Sequence, residues 1–285
     1  MAENWQQIID RISDLQRDIA KDGSIAWFRG QRNSSWPLQS SLHRRIQLLV
    51  SETGTTFTAA ETRSLLRDEY KNLFHQFQTD AWSLLDVRER SEWGMVFSMQ
   101  HYGIPTRLLD WTESFLCAIY FAHLTRIPGE EAAIFVLDPQ KLNLSSIGID
   151  GLIHFNAATE PARVNLDHWH PKFLPPKQDL LTIAVAPVYT NPRMLSQRSG
   201  FTVSGDSFIP LEQQFAGTGA IEKVILPVDS FNDIEKYLEL AGVNAFNFYP
   251  DLEGLRLKNE ENTRKTIRKA KDALIKNRKG RLLGD

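Results

Sequence analysis

The densest run of chemically capable side chains is Gln100-His101-Tyr102-Gly103-Ile104-Pro105-Thr106-Arg107-Leu108-Leu109-Asp110-Trp111-Thr112. It gathers an imidazole, a guanidinium, a carboxylate, hydroxyls and two large aromatics about a Gly-x-Pro turn, then runs through Glu113 and Ser114 into the apolar stretch Phe115 to Ala122. A loop feeding a buried helix can present polar groups while the helix holds them still. Two readings stand. The run is either a ligand site, or a hydrogen-bonded corner in which Asp110 caps the following helix and Arg107 ties the loop down. A second post is Trp27-Phe28-Arg29-Gly30-Gln31, a short apolar strand delivering an arginine whose planar fork of donors suits an anion, beside a glycine that would let a ligand approach the backbone. The cluster Asp167-His168-Trp169-His170, read as a strand, would turn His168 and His170 to one side and could recruit Asp167 or His154, but no His-Glu-x-x-His spacing supports it and no metal is expected. The single cysteine, Cys117, excludes an intrachain disulfide and a multi-cysteine zinc site, and its apolar setting reads as a packed thiol. Walker, Gly-x-Gly-x-x-Gly and Gly-x-Ser-x-Gly patterns are missing, which argues against P-loop, Rossmann and α/β-hydrolase chemistry.

Periodicity supplies the elements that must hold these groups. Trp5, Ile8, Ile9, Ile12, Leu15 and Ile19 predict a helix over 4–22, and Ser40 to Arg45 a capped helical turn. Residues 51–57 are polar and read as a loop. Helices are predicted over 58–85 and from Ser91 to His101, stopped by Gly103 and Pro105, and again from Glu113 to Thr125. The region between the last two is read as a tight loop. The second half changes period: 132–137, 181–185, 201–203 and 222–226 predict short strands. Residues 139–180 read as irregular, 230–241 as helix, 244–249 as a turn and 259–278 as a final helix.

A chain of 285 residues with 42% hydrophobic and 24% charged residues can bury a sizeable core and reads as soluble. There is no apolar run near the roughly 18–20 residues that a membrane span needs. No basic-then-apolar leader follows Met1, so a cytoplasmic, bacterial protein without membrane contact is the expectation. The net charge of −2 hides an asymmetry, because ten Lys or Arg against four acids over 258–285 leave +6 there and −8 on the rest. Such a tail is either a solvated helix on an acidic body or a nucleic-acid contact.

Three separated blocks resemble the signature blocks of the FRG domain family, named for its Phe-Arg-Gly tripeptide: Trp27 to Gln31, Gln100 to Thr112, and Arg193-Met194-Leu195-Ser196-Gln197-Arg198-Ser199-Gly200-Phe201. Phe248-Tyr249-Pro250-Asp251-Leu252-Glu253-Gly254-Leu255 resembles that family's closing block. The resemblance implies one FRG domain over 1–257 followed by a basic tail over 258–285. The blocks are also distantly similar to the three motifs of ADP-ribosyltransferases. Phe28-Arg29-Gly30 resembles the first, Asp110 to Ser114 with Ala118-Ile119-Tyr120-Phe121-Ala122 the second, and Gln197 stands in the third.

That likeness implies an α+β fold, a helix-rich first half with a small, mainly antiparallel split sheet, and an enzyme that uses NAD to modify a protein or nucleic acid or hydrolyses it, as a toxin or phage-defence effector. The alternative is a nucleotide- or nucleic-acid-binding module without chemistry. Arg29, Asp110, Gln197 and His101 would be the catalytic candidates. Arg29, Gln31, Tyr102, Thr106, Arg107, Trp111, Thr112 and Ser114 would hold the nucleotide. Gln197 departs from the usual catalytic glutamate, since an amide can position a hydroxyl but carries no negative charge. Asp110 or Glu113 could then supply the carboxylate.

Overall fold

The computed structural model describes residues 3–155, 164–175 and 179–282. The chain opens with α1 (Trp5–Lys21), started by a reciprocal capping box between Asn4 and Gln7. Then come β1 (Trp27–Gln31), α2 (Ser41–Glu52), α3 (Ala59–Ala81), α4 (Glu92–His101), β2 (Leu108–Thr112), α5 (Phe115–Leu124), β3 (Ala132–Leu137), α6 (Pro139–Ile147) and β4 (Ile153–His154). The second half adds β5 (Ile183–Ala186), α7 (Pro192–Ser196), β6 (Ser199–Val203), α8 (Leu211–Gln214), β7 (Ile221–Leu226), α9 (Phe231–Leu240), α10 (Ala245–Phe248) and α11 (Leu252–Leu282).

The architecture is α+β, with a sheet larger than the small one expected. Seven strands run in the order β4-β5-β6-β2-β1-β3-β7, and every neighbouring pair is antiparallel except β4 with β5. The ladder is uneven. β1 and β3 share five registered pairs and so do β2 and β6, whereas β1 and β2 meet only at Phe28 with Thr112. The two halves of the sheet are therefore joined at a point and splay apart beyond it.

Helices cover one face in two blocks. α3 and α4 pack with Leu108, Phe201, Val203, Ile183 and Val185 on one half of the sheet. α1, α5 and α9 pack with Phe28, Ile134, Val136, Val224 and Leu226 on the other. The opposite face buries Trp27, Leu109, Trp111, Phe135, Leu137, Leu142 and Leu211. Because β3 is covered on both sides it reads as an unbroken apolar run, all six residues buried.

Several expectations are corrected. Residues 108–112 form a central strand, not a loop. The run Leu-Leu-Asp-Trp-Thr alternates, with Asp110 exposed between buried neighbours, and β6 supplies the five-pair ladder that makes it a strand. Asp110 is mid-strand and caps nothing; Ser114 is the N-cap of α5, its side chain accepting from the Cys117 amide. Part of the irregular 139–180 region is α6, begun by Asp138, whose carboxylate accepts from the Gln140 and Lys141 amides and from Ser24 Oγ at 2.7 Å. Within 139–180, residues 156–163 and 176–178 lie outside the described residues. The segment 166–169 is a 3₁₀ turn, not a strand, and His170 is buried edge-on to Phe74. Among the described residues no group of three or more His, Cys, Asp and Glu side chains is placed to hold a metal. The last helix starts seven residues before the expected one, at Leu252. Among the described residues, no helix is long and apolar enough to cross a membrane.

Candidate active site

The splay between β1 and β2 opens a cleft of about 740 Å³. Volumes of this order accommodate small molecules and cofactors. Its walls come from all three separated blocks: Arg29 and Gln31 from β1, Gln100, His101, Asp110 and Thr112 from α4 and β2, Arg193 and Gln197 from α7 and its end. Tyr249, from the closing block, lines it too.

Where the ladder stops, side chains take over. Arg29 Nη1 donates to the Asp110 carbonyl oxygen at 2.7 Å and stands 3.7 Å from its carboxylate Oδ2. That oxygen in turn accepts from Gln100 Nε2 at 2.8 Å, and Gln100 Oε1 accepts from Thr106 Oγ1 at 2.6 Å. Half of the Asp110 side chain stays exposed, at 51%, so a held carboxylate faces the open cleft. Thr112 Oγ1 donates to the Gln197 carbonyl at 2.5 Å, and Gln197 Nε2 donates to the Phe248 carbonyl at 3.1 Å. These bonds tie the third and closing blocks to the second.

The electrostatics are cationic. Four guanidiniums (Arg29, Arg32, Arg44 and Arg193) line the cleft against one carboxylate, Asp110. Burial lowers the Arg29 pKa, with Asp110 opposing and Arg44 adding to the shift; an arginine nevertheless keeps its charge. Arg193 lies over the Tyr249 ring at 4.1 Å and Arg32 over Trp36 at 4.8 Å. Burial and the nearby Arg193 lower the His101 pKa, which favours its neutral form. Burial pushes the Cys117 thiol up to about 12, so it is unreactive although it lies at the cleft. Two polar atoms on β1, Arg29 Nε and Gln31 Oε1, are buried without a hydrogen-bond partner. Such groups cost stability unless something satisfies them.

Not every expected site residue reaches the cleft. Arg107 is fully buried, 3.0 Å from Asp206, in a knot completed by Arg67. Thr106 is buried beside Gln100, and Ser114 is spent as a cap. Tyr102, 63% exposed, packs edge-on to His101 and does not line the cleft. Trp111 contributes to the cleft wall, but its ring is core and its Nε1 donates to Thr202 Oγ1 at 3.1 Å, so it offers no free stacking face. Glu113 is paired with Arg198 at 2.8 Å, which leaves Asp110 as the cleft's acid. Gly30 does line the cleft, and it also lets α5 close on β1, because a Cβ there would sit 1.9 Å from the Ala118 carbonyl oxygen. Sequence reasoning missed Arg32, Trp36, Arg44, Arg193 and Tyr249 as cleft residues. Arg193 and Tyr249 sat inside recognised blocks, and Arg32 follows the first directly; Arg44 carries no local signal.

The basic tail is partly spent. Arg268 pairs with Glu235 at 2.6 Å and Lys265 with Glu239 at 2.9 Å, both on α9, and Tyr120 of α5 donates to Glu261 at 2.5 Å. These contacts match the reading of a solvated helix on an acidic body over this stretch.

Comparison with known proteins gives one positive result. Residues 24–130 match the family model described as the FRG domain. The match takes in the first two blocks and ends before the third. No curated protein matches, and no solved structure does.

Proposed function

The chain carries an FRG domain, and from that premise we propose that its cleft binds NAD and breaks the nicotinamide–ribose bond, passing ADP-ribose to a macromolecule or to water. The observation that carries this reading is the meeting of Arg29, the two ends of the 100–112 stretch (Gln100 and His101, Asp110 and Thr112) and Gln197 in one cation-rich cleft. Nothing in a purely structural account requires three blocks so far apart in sequence to share a solvent-open wall. The point at which β1 and β2 part also supports the likeness to the split sheet of ADP-ribosyltransferases.

The chemistry assigns each group a task. Breaking the bond expels neutral nicotinamide and leaves an oxocarbenium-like ribose, so the site must grip the phosphates and meet a developing positive charge. Arg29 and Arg193 are the pyrophosphate grips, and the two unpartnered β1 atoms are a donor and an acceptor for the ligand's polar edge. Asp110, held by Gln100, is the carboxylate that faces the ribose cation and can accept the proton of the incoming nucleophile. Gln197 braces the wall through Phe248. A toxin or phage-defence role belongs to the same proposal.

Incubation of the purified protein with NAD, followed by chromatography for free nicotinamide, tests it. Release is expected, and R29A and D110N are expected to abolish it. If NAD binds by calorimetry but no nicotinamide appears, the second reading, a binding module without chemistry, takes its place. One feature favours that second reading: an amide, Gln197, occupies the third motif and already donates to a backbone carbonyl. No binding of NAD sinks the enzymatic reading and leaves the second only for a nucleic acid or another nucleotide.

A further inference from the structure

Charge in the cleft exceeds what NAD would neutralise. Of the four lining guanidiniums, Arg29 has Asp110 beside it, Arg193 is stacked on Tyr249 and Arg32 on Trp36. Arg32 and Arg44 have only neutral hydrogen-bond acceptors. Arg32 donates to the Thr125 carbonyl at 3.4 Å and Arg44 to the Gln39 carbonyl, and among the described residues neither takes part in an ion pair. Burial and Asp110 act on Arg44 in opposite senses, with burial the stronger. Carbonyl partners orient a guanidinium without cancelling its charge, so both remain available to an anion.

NAD in its oxidised form carries a pyrophosphate and a cationic ring, a net charge of about −1. A phosphomonoester adds about −1.5 to −2 at neutral pH and three strong acceptor oxygens. We infer that the cleft takes a dinucleotide bearing a third phosphate, of the kind found in NADP, with Arg32 as the residue that receives it beside Trp36 and Arg44 adding its positive charge from the same cleft wall. This rests on the proposed function above and narrows its substrate.

The same region supplies a place for the attached base. Trp36 is 44% exposed at the cleft, with Arg32 over its ring, and Pro37 lies beside it in the wall. An adenine stacked on this flat surface has its ribose, and a phosphate on that ribose, beside Arg32. Arginine forks are the usual solution to such a phosphate, because two parallel N–H donors match two phosphate oxygens. Association with a triply phosphorylated ligand should also weaken more steeply with salt than association with NAD.

Isothermal titration of the full chain with NAD, NADP, AMP and 2′,5′-ADP, at low and at physiological salt, decides the matter. NADP is expected to bind at least about tenfold more tightly than NAD, and 2′,5′-ADP than AMP, with the margin shrinking as salt rises. In R32Q and R44Q the NADP-to-NAD ratio is expected to fall toward one. Comparing ratios cancels a general loss of affinity, and the 2′,5′-ADP comparison in the unmutated protein needs no variant to fold. Equal or tighter binding of NAD overturns this inference and leaves the proposed function standing. A ratio unmoved in both variants overturns the assignment of Arg32 and Arg44. If none of the four nucleotides binds, the proposed function fails and this inference with it.

Discussion

Two arginine–aspartate pairs start from the same strand and end in opposite circumstances. Arg107, at the entrance to β2, is wholly buried 3.0 Å from Asp206, which also takes Arg67 and accepts from the Leu180 amide. Asp110, two pleats along β2 with its carboxylate half exposed, has Arg29 3.7 Å away and opens onto the cleft. The residue types are the same, but a closed pair holds structure together and an open one can exchange partners with a ligand. Burial and surplus charge separate the two, and neither is written in the residue names.

The knot should break hardest. D206A removes the shared carboxylate from two guanidiniums, one of them wholly buried, and a loss of about 3–5 kcal/mol in urea unfolding is expected. An effect below about 1 kcal/mol would mean the knot is not the anchor it looks like. G30A comes next, because its Cβ would meet backbone atoms of α5 that cannot yield as a side-chain tip does; overpacking of this kind costs about 1–3 kcal/mol. A variant that unfolds normally but loses nucleotide binding would instead make ligand approach, not helix packing, the reason for a glycine at this point of the cleft wall.

pH should reveal the knot without mutation. Burial, with Arg107 nearby, lowers the His43 pKa from 6.5 to about 3, so the unfolded chain binds this proton first. Stability therefore falls as pH drops below about 6.5, with a loss of roughly 2 kcal/mol by pH 5. H43Q should flatten the stability profile in that window; an unchanged slope would show that His43 does not carry it. The same buried setting acts on Asp206: burial raises its pKa, but the hydrogen bond from Arg67 and the charge of Arg107 outweigh it, so the value is lowered. Its contribution is complete above the ordinary carboxylate range and is lost only in stronger acid.

The cleft should break least in stability and most in binding. R29A is expected to cost no more than about 1 kcal/mol of folding free energy, since its pair is long and partly exposed. It should weaken NAD binding by about tenfold to a hundredfold, as loss of a charge-assisted hydrogen bond does. If R29A unfolds as readily as D206A, the contrast between the two pairs disappears.

Much of the architecture was legible. β3 and β7 begin and end within a residue of their expected limits, because an apolar run between turn residues has few other solutions. α4 stops where Gly103 and Pro105 stop it. β2 was not legible, because its ladder partner lies some ninety residues away and its five residues sit between two helical periods. The site was half legible. Arg29, Gln31, His101, Asp110, Thr112 and Gln197 line the cleft, whereas Tyr102, Thr106, Arg107 and Ser114 do not. An arginine in a recognised block looks the same whether its partner is a ligand or Asp206.

By itself the sequence determined the periods of the elements, the family blocks and the charge of the tail, all of which depend on neighbours within a few turns of chain. Only the tertiary structure decided that β1 and β2 part after Phe28 and Thr112, that Arg107 turns into the core while Arg29 faces the cleft, and that Arg32 and Arg44 join it. Those outcomes depend on which surfaces α3, α4 and α5 cover, a balance of burial and pairing over the whole chain.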